Sequence, residues 1–232
     1  MRLDEDDACR MNKVLRHRLR NFASGIKNAM ALLEGELKDH LPPESQEYFP
    51  LIQAECDQLN VLTERLSMVF DPNYPVRVNA RNDDRLQPVG DILQKTLTET
   101  RQAYPAAEIV VVLDDTMQDA QLRGGTALTL ALVEIIRNAI EAARHSRITI
   151  QCEQQDEQLL FRVMDQGPGV GKGDPAQIFL PFHTTRGKHT GIGLAIAASV
   201  LAEHHGRLSA ETNATGGLTV TAHLPSRKRD TP

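Results

Sequence analysis

DQGPG at Asp165–Gly169 begins the stretch that decides the fold, which continues through FLPF at Phe179–Phe182 and ends with TGIGL at Thr190–Leu194. The first motif follows a strand-like apolar run, so Asp165 is predicted to stand at a strand end. Glycines two and four residues after this carboxylate allow backbone to approach a flat ligand closely. The last motif precedes a helix-like apolar run, and glycines before a helix N-terminus leave amide N–H groups free to meet phosphate oxygens. The stretch therefore offers a hydrogen-bond acceptor, a hinge and a phosphate cradle.

An amphipathic helix is predicted upstream of this stretch, at Leu132–Ala143, with Glu134 and Asn138 four residues apart on one face. Each of these motifs is common in ordinary turns and helices, but their order and spacing are specific. Together they resemble the N, G1, F and G2 boxes of the ATP-binding domain of sensor histidine kinases. That domain belongs to the Bergerat-fold superfamily, which is shared with gyrase and mismatch-repair ATPases.

The resemblance implies ATP and Mg²⁺ as cofactors and assigns roles to individual residues. Asp165 would accept a hydrogen bond from the adenine amine. Asn138 would coordinate Mg²⁺, since an amide oxygen suits a hard cation shared with triphosphate oxygens. The remaining nucleotide contacts would come from glycine-rich and lid residues, namely Gly167, Gly169, Arg186, Lys188, Thr190, Gly191, Gly193 and Leu194.

Two sets of charged residues each have more than one possible role. Arg186 and Lys188 either meet the β- and γ-phosphates or are solvated loop charges. Glu134 is a general base, a second magnesium contact, or a solvated helix residue.

The N-terminal third of the chain predicts a helical hairpin. Apolar residues recur at spacings of three and four in two segments, which the pair Pro42-Pro43 separates. They are Leu15, Leu19, Phe22, Ile26, Met30, Leu33 and Leu37 in the first segment, and Tyr48, Ile52, Leu59, Leu62, Leu66 and Val69 in the second, where the polar residue Glu55 interrupts the pattern. Because one hairpin has little core, we expect two copies to form a dimeric four-helix bundle.

His17 is the candidate phosphoacceptor. With Leu15 at heptad position d and Leu19 at a, His17 falls at f and points away from the seam. The segment resembles the H box of the dimerisation and phosphotransfer domain, in which His17 matches the acceptor and Asn21 the amide position. Two residues depart from that pattern, since Arg18 replaces the usual acid and Phe22 the usual proline.

The predicted fold class is α+β, an N-terminal antiparallel hairpin followed by an α/β sandwich. The hairpin covers residues 1–72, a linker 73–85, the ATP-binding domain 86–226 and a polar tail 227–232. Within the third segment, helices are predicted at 88–103, 126–144 and 190–205. Strands are predicted at 108–113, 147–152, 159–164, 207–212 and 218–224.

Composition limits the function classes. The net charge of −5 argues against nonspecific nucleic-acid binding. No apolar run reaches the roughly 20 residues of a membrane span, and the acidic N-terminus is unlike a signal peptide, so we expect a cytoplasmic protein. Three scattered cysteines indicate neither disulfides nor zinc.

Three functions remain in view. The first is a two-component histidine kinase that phosphorylates His17 from Mg-ATP and passes the phosphoryl group to an aspartate on a response-regulator receiver domain. The second, which Arg18 favours, is a nucleotide-gated docking or phosphotransfer platform. The third, a serine kinase or a hydrolysing ATPase, does not need the hairpin. No sensor segment is recognised before the hairpin, so input comes from a separate sensor protein or the N-terminus if the chain is complete; otherwise a sensor was removed.

Overall fold

The computed structural model describes residues 5–37, 40–71, 73–77, 85–117, 120–143, 146–170, 175–185 and 190–226. These residues divide into two compact units, Met1–Pro72 and Asn73–Pro232. The first is helical and the second mixes helices with a sheet, so the predicted fold class is confirmed.

The helical unit is an antiparallel hairpin. Helix α1 spans Glu5–Leu37, a single short turn α2 spans Pro43–Gln46, and α3 spans Tyr48–Phe70. Proline at the start of α2 fits the first turn of a helix, where the missing N–H has no partner to lose. Helices α1 and α3 pack along their length.

The contact between α1 and α3 is more polar than the sequence pattern suggested. Its most buried members include Arg16 and Ala23 on α1 and Cys56, Thr63 and Ser67 on α3. The Arg16 guanidinium lies 3.6 Å from the Asp71 carboxylate at the open end of the hairpin, and Lys27 Nζ donates to Asp57 Oδ1 at 2.7 Å.

The apolar stripe of α1 faces solvent instead of α3. Its exposed members are Leu15, Phe22, Ile26, Leu33 and Leu37, with Phe22 as much as 65% exposed. A stripe of this length without cover is unusual on a monomer surface.

The described residues of the second unit form three longer helices and seven strands. The helices are α4 (Val89–Ala103), α5 (Gly125–Ala142) and α6 (Gly193–Glu203). The strands are β1 (Leu86–Pro88), β2 (Ile109–Leu113), β3 (Gln121–Arg123), β4 (Ile148–Gln155), β5 (Gln158–Met164), β6 (Arg207–Thr212) and β7 (Leu218–Pro225).

Five strands form one mixed sheet in the order β2-β4-β5-β7-β6, with β2 parallel to β4 and every other pair antiparallel. One face carries the core, where Ile150 and Phe161 from the sheet are fully buried together with Ile135 and Ile196 from α5 and α6. Alternation along β4 puts Ile148, Ile150 and Cys152 on this face. The register holds Asp165 at the end of β5, next to the start of β7.

Several predicted boundaries needed correction. The strands predicted at 147–152 and 159–164 are longer, because β4 and β5 stay paired to Gln155 and Gln158, and Asp156 between them takes a left-handed φ of 53°. The helix predicted from Thr190 begins only at Gly193, since Gly191 is left-handed and cannot belong to a right-handed helix. Strands β1 and β3, which pair with each other, were missed because each has only three residues. Residues 78–84 of the predicted linker lie outside the described residues.

In the part of the chain that the structure describes, no helix combines the length and hydrophobicity needed to cross a membrane.

His223 lies on the sheet face opposite the helices, directly across from Arg207. Its Nε2 is 2.8 Å from Ser209 Oγ and its Nδ1 is 3.4 Å from Gln158 Oε1. Burial lowers the pKa of His223, and the positive charges of Arg207 and Arg162 lower it further.

Because this pKa is lowered on folding, the unfolded chain binds more protons at mildly acidic pH. The folded state is therefore fully stable above the usual histidine pKa of ~6.5 and loses stability as pH falls from there toward the folded value. We predict that His223→Gln reduces the loss in unfolding free energy between about pH 8 and about pH 5.5, measured by urea denaturation. His183→Gln, at an exposed position, is the control and should behave as the unmodified chain. If His223→Gln lost as much unfolding free energy as the unmodified chain over this pH range, the lowered pKa of His223 would not be the cause of the loss.

Candidate functional site

Asp165 anchors the candidate site at the end of β5, where only 2% of its surface is exposed. Its Oδ1 accepts hydrogen bonds from the Gly167 N–H at 2.8 Å and the Leu218 N–H at 3.1 Å. Its own N–H donates to the Leu218 carbonyl at 2.9 Å. Among the described residues nothing donates to the second oxygen, Oδ2. One carboxylate oxygen is thus used by the fold and the other is available to a ligand.

The turn between β6 and β7 is fastened to the same residue. Asn213 Nδ2 donates to the Asp165 carbonyl oxygen at 2.8 Å, while Asn213 Oδ1 accepts from the N–H groups of Thr215 at 3.1 Å and Gly217 at 3.0 Å. The strands predicted at 207–212 and 218–224 imply this turn, but the sequence gave no signal that it contacts the DQGPG turn (Asp165–Gly169).

Close backbone approach around Asp165 requires glycine at Gly217. A Cβ at Gly217 would overlap the Asp165 carbonyl oxygen, so the backbone just before β7 can only come this close without a side chain. Gly169 is constrained in the same way. A Cβ added to Gly169 would lie 2.7 Å from the carbonyl oxygen of Gly216, in the turn between β6 and β7.

The DQGPG turn also reaches the end of α5. A Cβ added to Gly167 would lie 3.0 Å from the Ala142 carbonyl oxygen. The structure therefore brings the predicted G1 motif next to the helix that carries Glu134 and Asn138.

Glu134 is almost fully buried on α5, at 3% exposure, and its carboxylate is paired with the Arg137 guanidinium. Arg137 Nε also lies 3.8 Å from Glu141 Oε1, and this oxygen accepts the Tyr104 hydroxyl at 2.9 Å. Burial, with the Glu141 hydrogen bond and charge added, raises the pKa of Tyr104 to about 12. Arg137 and Tyr104 were not singled out from the sequence, because a charge three residues away on a helix is more often solvated.

Asn138 follows Arg137 on α5 and is half-buried. Within the described ranges no group of three or more His, Cys, Asp or Glu side chains is arranged to hold a metal ion. The described residues therefore contain no metal site built from such side chains alone. This donor set suits Mg²⁺ held by one amide oxygen together with phosphate oxygens, because Mg²⁺ keeps few protein ligands.

A backbone hydrogen bond joins the TGIGL motif to the FLPF motif. The Phe182 N–H donates to the Gly191 carbonyl at 3.0 Å, and Gly191 has a φ of +64°. A Cβ at Gly191 would lie 2.6 Å from the His183 carbonyl oxygen, so glycine is required on two counts. Leu180 and Phe182 project into solvent, at 57% and 59% exposure.

Helix α6 begins at Gly193 with no side-chain hydrogen bond capping its first turn. Leu194 is buried under this turn, and Thr190 is exposed just before it. The first-turn N–H groups of such a helix can meet an anion. The predicted cations Arg186 and Lys188 lie outside the described residues.

His17 and Asn21 lie one turn apart on α1, in the helical unit, and both are exposed. Asn21 Nδ2 is 3.1 Å from His17 Nδ1. Exposure of His17 agrees with the f position derived from the heptad pattern.

The family comparison matches residues 124–228 to the histidine kinase-, DNA gyrase B-, and HSP90-like ATPase family. The matched range includes Glu134, Asn138, Asp165 and the TGIGL motif.

Curated relatives match most of the chain. It is 26% identical over 219 residues to the signal transduction histidine-protein kinase AtoS of Escherichia coli (strain K12), covering 90% of this chain and 33% of AtoS. It is 26% identical over 225 residues to the sensor histidine kinase ZraS of Salmonella typhi, covering 92% of this chain and 47% of ZraS. The chain thus spans a third to a half of the length of these relatives.

Among solved structures, full-length ShkA in complex with AMPPNP is similar in fold, with a TM-score of 0.72 and 22% sequence identity. The match covers 96% of this chain and 47% of ShkA. Residues 124–228 thus match the histidine kinase-, DNA gyrase B-, and HSP90-like ATPase family, and most of the chain is similar to sensor histidine kinases.

Proposed function

We propose that this protein is an ATP-dependent histidine kinase that phosphorylates His17 and passes the phosphoryl group to an aspartate of a response-regulator receiver domain. The observation that carries the proposal is the buried Asp165 carboxylate, with one oxygen fixed by two backbone N–H groups and one open to a ligand. An N–H donor such as the exocyclic amine of adenine matches this open acceptor. The ATP analogue named in the ShkA structure supports nucleotide as the ligand.

The phosphates would be bound by backbone N–H groups and by the lid residues Arg186 and Lys188. The uncapped start of α6 at Gly193, with Thr190 and Gly191 before it, offers N–H groups to an anionic ligand. Arg186 and Lys188 are proposed to add positive charge there. Asn138 is proposed to hold Mg²⁺, which when bound neutralises phosphate charge.

For Glu134 we favour a structural role over that of a general base. Its carboxylate is paired with Arg137 and almost fully buried, so proton transfer through it would first require this pair to open. Leaving Arg137 or Glu134 unpaired inside the unit is costly.

The partner that we propose for the hairpin is a second copy of the chain. The exposed stripe at Phe22, Ile26 and Leu33 has the spacing of a helix-bundle seam, and a two-fold dimer would cover it with the same stripe. The polar contact between α1 and α3 supplies little apolar burial of its own, which makes an additional core necessary.

Replacement of Asp165 by Asn should weaken ATP binding and spare the fold. The amide keeps an acceptor oxygen for the Gly167 and Leu218 N–H groups but turns a donor toward the ligand. Loss of a buried acceptor costs about 1–3 kcal/mol, so the dissociation constant for ATP in calorimetric titration should rise about 10- to 100-fold. Asp156→Asn, in the exposed turn between β4 and β5 where φ is positive, is the matched control. Unchanged affinity in the Asp165 variant would rule out its role as the acceptor.

Replacement of Ile26 by Glu should convert a dimer into monomers. Burying an unpaired carboxylate in a bundle core costs several kcal/mol, so the dimer dissociation constant should rise by ~100-fold or more. Size-exclusion chromatography with light scattering measures this directly. Ser24→Glu, exposed on α1 and off the stripe, should leave the dimer intact. A monomeric unmodified chain, or equal effects of both variants, would contradict the proposed seam.

The kinase activity is tested by incubating the chain with γ-labelled ATP and Mg²⁺. We expect an acid-labile, base-stable label that disappears in His17→Ala and persists in His40→Ala, another exposed histidine of the same unit. Normal ATP binding without any label would instead support a nucleotide-gated platform. A label that persists in His17→Ala would place the acceptor elsewhere.

A further inference from the structure

An ion pair ties the segment that follows the hairpin to the second unit. Arg77 Nε and Nη2 both donate to Glu203 Oε1, at 2.9 Å and 2.6 Å. The two side chains are only 18% and 13% exposed. In the Arg147–Glu108 pair of the same unit, Arg147 donates through Nε at 2.7 Å, and the side chains are 59% and 61% exposed. Since water screens exposed pairs, the Arg77–Glu203 pair is the stronger of the two.

Glu203 stands at the end of α6 where a negative charge is unfavourable, because it is the last residue of the helix. No basic residue lies in the last turn of α6 itself, and Arg77 supplies a cation from 126 positions earlier in the sequence. The opposite end of α6, at Gly193, is the uncapped N-terminus that is proposed to meet phosphate. Arg77 therefore attaches the chain leaving the hairpin to the helix that is proposed to contact the nucleotide.

The hairpin end of this connection is fixed as well. Asp71 follows α3, and its N–H donates to the Ser67 carbonyl at 2.9 Å. Its carboxylate lies 3.6 Å from the Arg16 guanidinium. Because the two units divide directly after Pro72, this ion pair and the Arg77–Glu203 pair stand on either side of the division.

We propose that the Arg77–Glu203 pair is a latch, which keeps the tether between the two units short and so holds the second unit within reach of His17. With the latch closed, the tether comprises the five residues 72–76. With the latch open, the next strand or helix along the chain is β1, and the tether comprises the 14 residues 72–85. The inference rests on the proposed function for its effect on phosphorylation, whereas the latch itself does not depend on ATP.

The length of the tether affects how often a bound nucleotide meets the histidine. The effective concentration of two tethered groups falls roughly as the −3/2 power of tether length, once the tether exceeds the span. Lengthening from five to 14 residues should therefore lower the initial rate of His17 phosphorylation at saturating ATP about fivefold. The affinity for ATP should stay the same, since Glu203 lies at the end of α6 far from Gly193.

The test exchanges the two charges in the full chain. Arg77→Glu and Glu203→Arg each bring like charges together and open the latch, whereas the double variant restores an ion pair with its charges reversed. Arg147→Glu, which brings two carboxylates together at the exposed pair with Glu108, is the matched control.

Two readouts are compared. The first is hydrogen exchange of the amides at positions 76 and 77, of which the second donates to the Tyr74 carbonyl at 2.9 Å. It should be faster in both single variants and return to the unmodified rate in the double variant. The second is the initial rate of His17 phosphorylation, which should fall about fivefold in the single variants, recover in the double variant and stay unchanged in Arg147→Glu.

Unchanged exchange in both single variants overturns the latch, and so does a double variant that does not recover. Faster exchange with an unchanged or higher phosphorylation rate overturns its control of reach. A single variant that loses ATP affinity is replaced by Arg77→Gln or Glu203→Gln, which remove a charge without creating repulsion and should act in the same direction. If the unmodified chain takes no label on His17, the kinase proposal fails, and the exchange rates alone decide whether the latch exists.

Discussion

The α/β unit depends on the hydrogen bonds that converge on one buried carboxylate. Asp165 Oδ1 accepts from Gly167 and Leu218, while its backbone is tied to Leu218 and Asn213. These bonds join the end of β5, the start of β7 and the turn between β6 and β7 at one point. A buried carboxylate is tolerated only when such donors surround it. The same requirement leaves the second carboxylate oxygen in a fixed position, where the proposed adenine amine would meet it.

The helical unit differs in which of its side chains are buried and which are exposed. Its internal contact includes Arg16, Thr63 and Ser67, whereas its large apolar side chains face outward. A polar seam stabilises a hairpin weakly, because hydrogen bonds and exposed ion pairs contribute little net free energy. The surface that most needs cover is therefore the stripe through Phe22 and Ile26. His17 lies off this stripe and stays accessible.

Much of the fold could be predicted because its signals are local. A strand-like apolar run marked β5, helical spacing marked α5, and prolines marked the break between α1 and α3. The candidate site residues that the sequence could indicate are those that lie in short motifs, such as Asp165 and Gly191. Contacts between distant segments had no local signal. Neither Asn213 nor Gly217 could be connected with Asp165, because that connection exists only once β7 lies beside β5. The pairing of Glu134 with Arg137 was also missed, since sequence spacing does not reveal burial, and burial is what makes the pair matter.

The most direct test of the account compares the affinities of the unmodified chain for ATP and for inosine triphosphate by calorimetric titration. The two differ where the Asp165 carboxylate would meet the base, because an exocyclic amine donor becomes a carbonyl acceptor. If Asp165 accepts from the adenine amine, inosine triphosphate should bind about 10- to 100-fold more weakly, because a buried acceptor left without a donor costs roughly 1–3 kcal/mol. Equal affinities would contradict it, because Asp165 would then not read the base.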